Sequence, residues 1–531
     1  MPHPSSPSVA AACLGFLLAA GSVLHAAPAK VEPVPLPSIY KPSKSYTVKA
    51  NGVEVPVVDY VSEYDYAQFS MSEGTCEIEI VAKNVRDIEA YSISPLKLEI
   101  PSEQKGNRIT FKIEKNQYLI VWVRGAKKLV ITADPQETYK PAASGPGIYN
   151  VVRYGADPTG GRASTQAIQK AIDEASAKRG GPQGQGVVVV PPGVFKTANV
   201  VLKSNVDLYL AGGAVLVGTG NPSDYEKHFR KDSKNLDGTW FIHNEEGAKN
   251  IRIYGRGTVD GVGREMEHER KFMKTLLMIC DSERFVMDGI TMRDSGMWAN
   301  IIARSNDVTI SNFKMLNGLN TGEDDALDIC ESQDVLVKDS LCISLDDPFS
   351  TKTWDAETDI CRNWYGKPEP LRNVVFENCI SWTRCYAFKV GQGVKQPQEN
   401  VVVRNCVVYD CAIGIGIHHK WGTSSVKNVE FRDIDIENVK MKNDGNRVWG
   451  WFRVQNGDKK GGGPVSDVLV ENVRVRDAGE TAGFVRGFSE DAKIENLRFV
   501  NIRMPGSETP AKTLEELNMT ELDFSSNVSV E

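Results

Sequence analysis

Asn373-Val374-Val375-Phe376, Asn400-Val401-Val402-Val403 and Asn428-Val429-Glu430-Phe431 decide the fold of this 531-residue chain. Each begins with Asn and continues with alternating β-branched or aromatic residues, the pattern of a short strand with one buried face. The unit recurs as Asn250-Ile251-Arg252-Ile253, Asp307-Val308-Thr309-Ile310, Asp334-Val335-Leu336-Val337, Asp467-Val468-Leu469-Val470 and Asn496-Leu497-Arg498-Phe499. Positions 307 and 334 are 27 residues apart, as are 373 and 400, so one supersecondary unit repeats. Three short strands per turn with Gly or Asn corners fit a right-handed parallel β-helix, in which each coil packs only on its neighbours. Such a solenoid also accommodates a length too great for one ordinary core. It is assigned to residues 148–505, with a C-terminal tail over 506–531.

Ahead of the repeats, Ser164 to Ala177 carries Ile168, Ala171, Ile172 and Ala175 at helical spacing behind an N-capping serine. A lone helix there would cover the first open coil. Val187 to Gly193 and Val206 to Leu210 begin the β array. Residues 46–133 alternate in short segments, such as Cys76 to Val81 and Arg108 to Ile113, with a Gly106-Asn107 turn, and read as a small antiparallel β-sandwich. A linker over 134–147, rich in Pro, Gly, Ala and Ser, separates the two. The apolar run Val9 to Leu24, followed by His25-Ala26-Ala27, resembles a secretory leader over 1–27, although no Lys or Arg precedes it. No other stretch is apolar and long enough to span a bilayer.

The formal charge of −7, from 62 basic and 69 acidic residues, gives no basic excess to attract a phosphate backbone or an anionic membrane. Ten cysteines without C-x-x-C spacing and only seven histidines speak against a structural zinc site. Cys379 and Cys406 occupy equivalent places in adjacent repeats, as a disulfide or as buried stacked thiols. No metal and no cofactor is expected. The chain is read as a secreted or periplasmic monomer that contacts neither nucleic acid nor, once the leader is removed, a membrane.

Two intervals, 334 to 373 and 428 to 467, stretch to 39 residues, and the extra residues should leave the coil as loops. They hold Trp354, Trp364, Tyr365, Trp449 and Trp451, which would serve either sugar stacking or loop packing. The chemistry concentrates elsewhere, in Asn320-Thr321-Gly322-Glu323-Asp324-Asp325-Ala326-Leu327-Asp328 and Ser344-Leu345-Asp346-Asp347-Pro348. Asp346 lies 21 residues after Asp325, about one coil, so the aspartates should converge on one face. Carboxylates held that close cannot all ionise, which supplies an acid and a base from one residue type, as glycosidic hydrolysis requires. A solvated acidic turn or a calcium site is the alternative.

The order of helix cap, Pro191-Pro192-Gly193, Gly255-Arg256-Gly257-Thr258-Val259-Asp260-Gly261, Trp298, Asn320-Thr321, Asp325 to Asp328 and Asp346-Asp347 resembles the polygalacturonases, glycoside hydrolase family 28 of the pectin lyase-like superfamily. The similar dextranase and isopullulanase family, family 49, adds an N-terminal β-sandwich. The resemblance implies a polysaccharide substrate, Asp346 as general acid, and Asp325 and Asp347 holding and deprotonating water with inversion. It also implies that Asp328 and Trp298 line the substrate site, where Trp354 would join them.

Departures from that pattern are informative. The family's Gly-His-Gly is replaced by Cys385-Tyr386-Ala387, leaving Tyr386 as a candidate hydrogen-bond donor. Its Arg-x-Lys is replaced within Gly414 to Lys420, so a galacturonate would lose its bidentate partner and a neutral or differently charged glycan is favoured. Lys389, three residues after Tyr386, should point as Asp328 does and could neutralise the cluster. His418, His419 and Lys420 should follow on the same face. Two rival readings remain: a polysaccharide lyase with Lys389 as base, and a non-catalytic glycan-binding β-helix.

Overall fold

A computed structural model describes residues 27–181, 184–442 and 445–531. The leader expected over 1–27, apart from Ala27, lies outside the described residues. Three long sheets of 13, 11 and 12 strands run through most of the chain, and their strands pair in parallel with the corresponding strand of the next coil. This is a parallel β-helix. The one departure in these sheets is Phe229–Lys231, which folds back antiparallel on Leu236–Asn244.

All eight Asn or Asp repeat units fall in the 13-stranded sheet, and their first residues take φ between 54° and 58°. Asn and Asp tolerate this left-handed corner better than other side chains. The corner amides also stack: Asn373 donates to Asp334, Asn400 to Asn373, and Asn428 to Asn400, each at 2.8 Å. The next residue and the one two beyond it point inward. One row runs Phe285, Val308, Val335, Val374, Val401, Val429, Val468 and Leu497, each in register with the next and all buried. Cys379 and Cys406 are buried free thiols within this core.

Helix α1 (Thr165–Lys178) buries Ile168, Ala171, Ile172 and Ala175 against the first coils. Ser164 precedes it, but its hydroxyl accepts the Asp157 N–H at 2.9 Å and makes no bond to the helix. At the other end, Met519–Glu521 and Ser525–Val530 pair with Gly483–Arg486 and Ile494–Val500. Residues after 505 thus extend the solenoid instead of forming a tail. Their alternation is weak because the last coil has a neighbour on one side only.

The N-terminal sandwich begins earlier than position 46, with strands Val31–Pro33 and Lys41–Pro42, and is not wholly antiparallel. Lys128–Pro135 inserts parallel to Tyr64–Met71 and antiparallel to Tyr118–Val123, so strand structure also enters the expected linker. Every residue of Tyr64–Met71 is buried. Ala67, Phe69 and Met71 face the sandwich core, while Tyr64 and Tyr66 pack on Leu316, Leu341 and Trp382 of the solenoid. A strand buried on both faces loses the alternation that marks a surface strand.

That contact reaches the chemistry. The Tyr60 and Tyr64 hydroxyls donate to the Leu316 and Asn317 carbonyls at 2.8 Å. The Asn317 amide in turn donates to Ser295 Oγ at 2.9 Å and to the Asp324 carbonyl at 3.3 Å. The sandwich therefore braces the turn that carries Asp325.

Candidate active site

Leu327 pairs with Phe349 and Asp328 with Ser350, so one coil spans 22 residues here. Two residues earlier, the same register sets Asp325 beside Asp347. Asp346 lies beside Asp324, whose Oδ1 accepts the Asp346 N–H at 2.9 Å. The spacing of 21 therefore names the neighbour of the true register partner, yet the acids still converge. Asp325, Asp328 and Asp347 are buried, and Asp346 keeps partial exposure.

Two lysines hold this cluster. Lys352 ion-pairs with Asp325 and lies 2.7 Å from Asp328, with its ammonium 3.9 Å above the Trp298 ring. Lys389 ion-pairs with Asp347, and Ser350 donates to Asp328. Asp328, Ser350 and Lys389 share one register row, as their spacing predicts. Four carboxylates thus face two ammoniums, and the protons must divide unevenly. Burial and the Asp347 charge push Asp346 up, against the pull of Lys389. Burial also acts on Asp347, but Lys389 and Lys352 outweigh it and hold Asp347 below its ordinary value. Burial raises Asp325 and Asp328 despite Lys352.

Asp325 and Asp346 open onto a cavity of about 500 Å³ walled by Trp298, Trp354 and Trp421. Trp298 and Trp354 stack with centroids 6.0 Å apart, and Trp354 meets Trp421 at 5.6 Å. Lys231, Glu323, Gln392, Lys395 and Asp458 add polar wall. A larger cavity of about 640 Å³ lies on the sandwich around Ile100, Phe111 and Ile113, but it lacks the ionised cluster, so the chemistry selects the smaller one.

Several expected participants sit elsewhere. Tyr386 is buried and its hydroxyl has no partner; its backbone N–H is what approaches Asp347 Oδ1, at 3.3 Å. Cys385 is the closer neighbour: its Sγ and carboxylate oxygens of Asp346 and Asp347 lie within 4.8 Å of one another. His418 stacks between Tyr386 and Trp451, and burial followed by the Lys389 charge lowers it to about 3. It is therefore neutral. His419 alternates to the other side of its strand, where it is buried and its Nε2 meets the Ser424 carbonyl at 2.7 Å, so it does not share the face of His418. Lys420 lies over Trp421 at 4.5 Å and is absent from the cavity wall.

The expected loop aromatics are also largely buried. Trp364 packs beneath its loop, Trp449 sits inside the coil donating to the Leu517 carbonyl at 2.7 Å, and Trp451 lies on strand Val448–Val454. Sequence reasoning missed Lys352. Its signal is a lysine two residues after Ser350 on a strand already placed beside Asp328, so strand alternation could have found it.

Comparison with known proteins agrees with this architecture. Residues 148–440 match the family described as rhamnogalacturonase A/epimerase, pectate lyase-like. An exo-poly-alpha-D-galacturonosidase of Dickeya chrysanthemi is 33% identical over 162 residues, 28% of this chain and 26% of that protein. A probable exopolygalacturonase A of Aspergillus niger is 28% identical over 185 residues, 32% of this chain and 41% of that protein. The matches thus span under half the length of these relatives. In fold, the family 28 exopolygalacturonase of Yersinia enterocolitica superposes with a TM-score of 0.57 at 18% identity, covering 86% of this chain and 93% of that one. Dex49A from Penicillium minioluteum superposes at 0.56 and 13% identity, covering 94% and 96%, a span that includes the sandwich. With its β-helix matched from 148 to 440, more than half of its length, the chain belongs to the rhamnogalacturonase A/epimerase, pectate lyase-like family.

Proposed function

We propose that this protein is an exported glycoside hydrolase that cleaves a polysaccharide with inversion, using Asp346 as general acid and Asp325 and Asp347 to hold and deprotonate the attacking water. The observation that carries the reading is the opposite fate of two adjacent aspartates: Asp346, at the cavity, is pushed up, while Asp347, gripped by Lys389, is held down. A carboxyl that keeps its proton near neutrality can give it to the leaving glycosidic oxygen. Water then attacks the anomeric carbon from the opposite side and loses its proton to the carboxylate pair, which Lys352 and Lys389 keep in place. The tryptophan wall offers flat apolar faces to sugar rings. The names of the matched relatives, exo-poly-alpha-D-galacturonosidase and exopolygalacturonase, support a glycan substrate. Export rests on the resemblance of residues 1–27 to a leader; among the described residues no helix is long and apolar enough to cross a membrane.

The lyase reading needs a lysine that can accept a proton. Lys389 is paired with Asp347, which raises its pKa against the effect of burial, so it stays protonated. A reducing-sugar screen over dextran, pullulan, pectins and algal galactans, run with wild type and Asp346→Asn, tests the hydrolase. New reducing ends without an ultraviolet-absorbing product, lost in the variant, are expected. An unsaturated product, or full activity in Asp346→Asn, would overturn it.

A further inference from the structure

Beyond the catalytic coils, one register row of the 12-stranded sheet passes from Gly391 to His418, Arg453 and Arg486. Adjacent rows are about 4.8 Å apart, so two guanidiniums stand side by side. Among the described residues Arg453 has no carboxylate partner. It meets the Gln455 amide oxygen at 2.8 Å when that amide donates to His418 Nε2, and it lies 5.8 Å from the Phe484 ring. Arg486 has only a rim contact with Asp523 at 3.5 Å. Burial, then the charge of Arg486, lowers the pKa of Arg453. Uncompensated positive charge is unusual in a chain of net charge −7, and here it adjoins the catalytic cluster.

Two further donors lie beside it without acceptors. The Tyr386 hydroxyl and the Trp451 indole N–H are buried and unpartnered, and Arg453 is the cation closest in effect to that hydroxyl. Their rings stack at 5.7 Å across Gly416, where a Cβ would come within 2.2 Å of the Trp451 carbonyl oxygen. Buried donors without partners beside unpaired guanidiniums call for an acceptor-rich anion.

We propose that Arg453 and Arg486, with the Tyr386 hydroxyl and the Trp451 N–H, form an anion-recognition subsite that takes the carboxylate or sulfate ester of a sugar unit bound on the coils beyond the aspartates. That the ligand is a sugar rests on the hydrolase reading. The subsite revises the expectation of a neutral glycan, because the guanidinium absent from Gly414 to Lys420 is supplied one coil later. Arg is suited to this task, since its planar fork pairs with two oxygens at once.

Calorimetric titration of Asp346→Asn protein separates the subsite from turnover. The probes are trigalacturonate, its carboxyl-reduced neutral counterpart, and a sulfated galactan trisaccharide. One anionic probe should bind about tenfold or more tightly than the neutral one, as a charge-assisted hydrogen-bond pair implies. Adding Arg453→Gln or Arg486→Gln should abolish that preference, while Arg453→Lys keeps part of it and neutral binding stays unchanged. Preference for trigalacturonate marks a carboxylate site, and preference for the galactan a sulfate site. Equal or better binding of the neutral probe, no binding of any probe, or an anion preference that survives both Gln variants would overturn the subsite. Failure of hydrolysis appears separately, in reducing-end release.

Discussion

Two buried clusters of acids and cations lie on this solenoid, and only one of them looks out onto space. Between sandwich and coil, Asp134 accepts from Lys314 at 2.8 and 3.0 Å and from the Tyr118 hydroxyl. Lys314 also donates to the Gly289 carbonyl at 2.8 Å, and Arg256 donates to the Pro135 carbonyl at 2.7 Å while lying 3.6 Å from Asp288. Two acids meet two cations there, and the protons need no redistribution. At Asp325, Asp328, Asp346 and Asp347 four acids meet Lys352 and Lys389, and two of the acids border a cavity. Burial of charge is common to both clusters. Imbalance and access to space are what mark chemistry.

Substitutions should separate the two. Asp346→Asn should lower turnover about 10²–10⁴-fold, the usual worth of a general acid, with no loss of thermal stability, because it relieves an excess of acid. Lys314→Met should do the reverse. It strands Asp134 and should cost about 3–5 kcal/mol in urea unfolding, with turnover per folded molecule retained. If Lys314→Met abolished turnover in folded protein, the two clusters would not be distinct in role.

The pH profile sharpens the contrast. Activity needs Asp347 ionised and Asp346 protonated, so kcat/KM should rise as pH passes the depressed pKa of Asp347 and fall once it exceeds the raised pKa of Asp346. Lys389→Met removes the cation that holds Asp347 down, so the acid limb should move to higher pH by about 1–3 units. An unmoved acid limb would separate Lys389 from the base. The smallest effect concerns the brace between the clusters: Tyr64→Phe deletes one hydrogen bond to the Asn317 carbonyl and should cost about 1 kcal/mol by urea unfolding.

What the sequence displays follows from how local each constraint is. The Asn and Asp corners are legible because a left-handed φ and two inward side chains are demands made within four residues. The aspartates are legible because neighbouring coils carry them at nearly the coil length. Lys352 escapes because its role depends on which coil its strand pairs with, and register shifts between Thr351 and Thr353. His419 was misplaced by reading a run of polar residues as one face, where a strand alternates. The tryptophans were read as exposed because loop residues were assumed to leave the coil, whereas Trp449 fills it and Trp354 joins a wall of three rings. The strand Tyr64–Met71 hides its pattern because the sandwich and the coil bury both of its faces. Arg453 has no local signature at all; only the row it shares with Arg486 gives it meaning.

Proton NMR of the first products, recorded before mutarotation, is the most direct trial of the idea that an acid-rich cleft delivers water to the sugar. The new reducing end should carry the anomeric configuration opposite to that of the bond cut. A product that retains the original configuration would mean that an aspartate, not water, attacks the sugar, and would contradict the account.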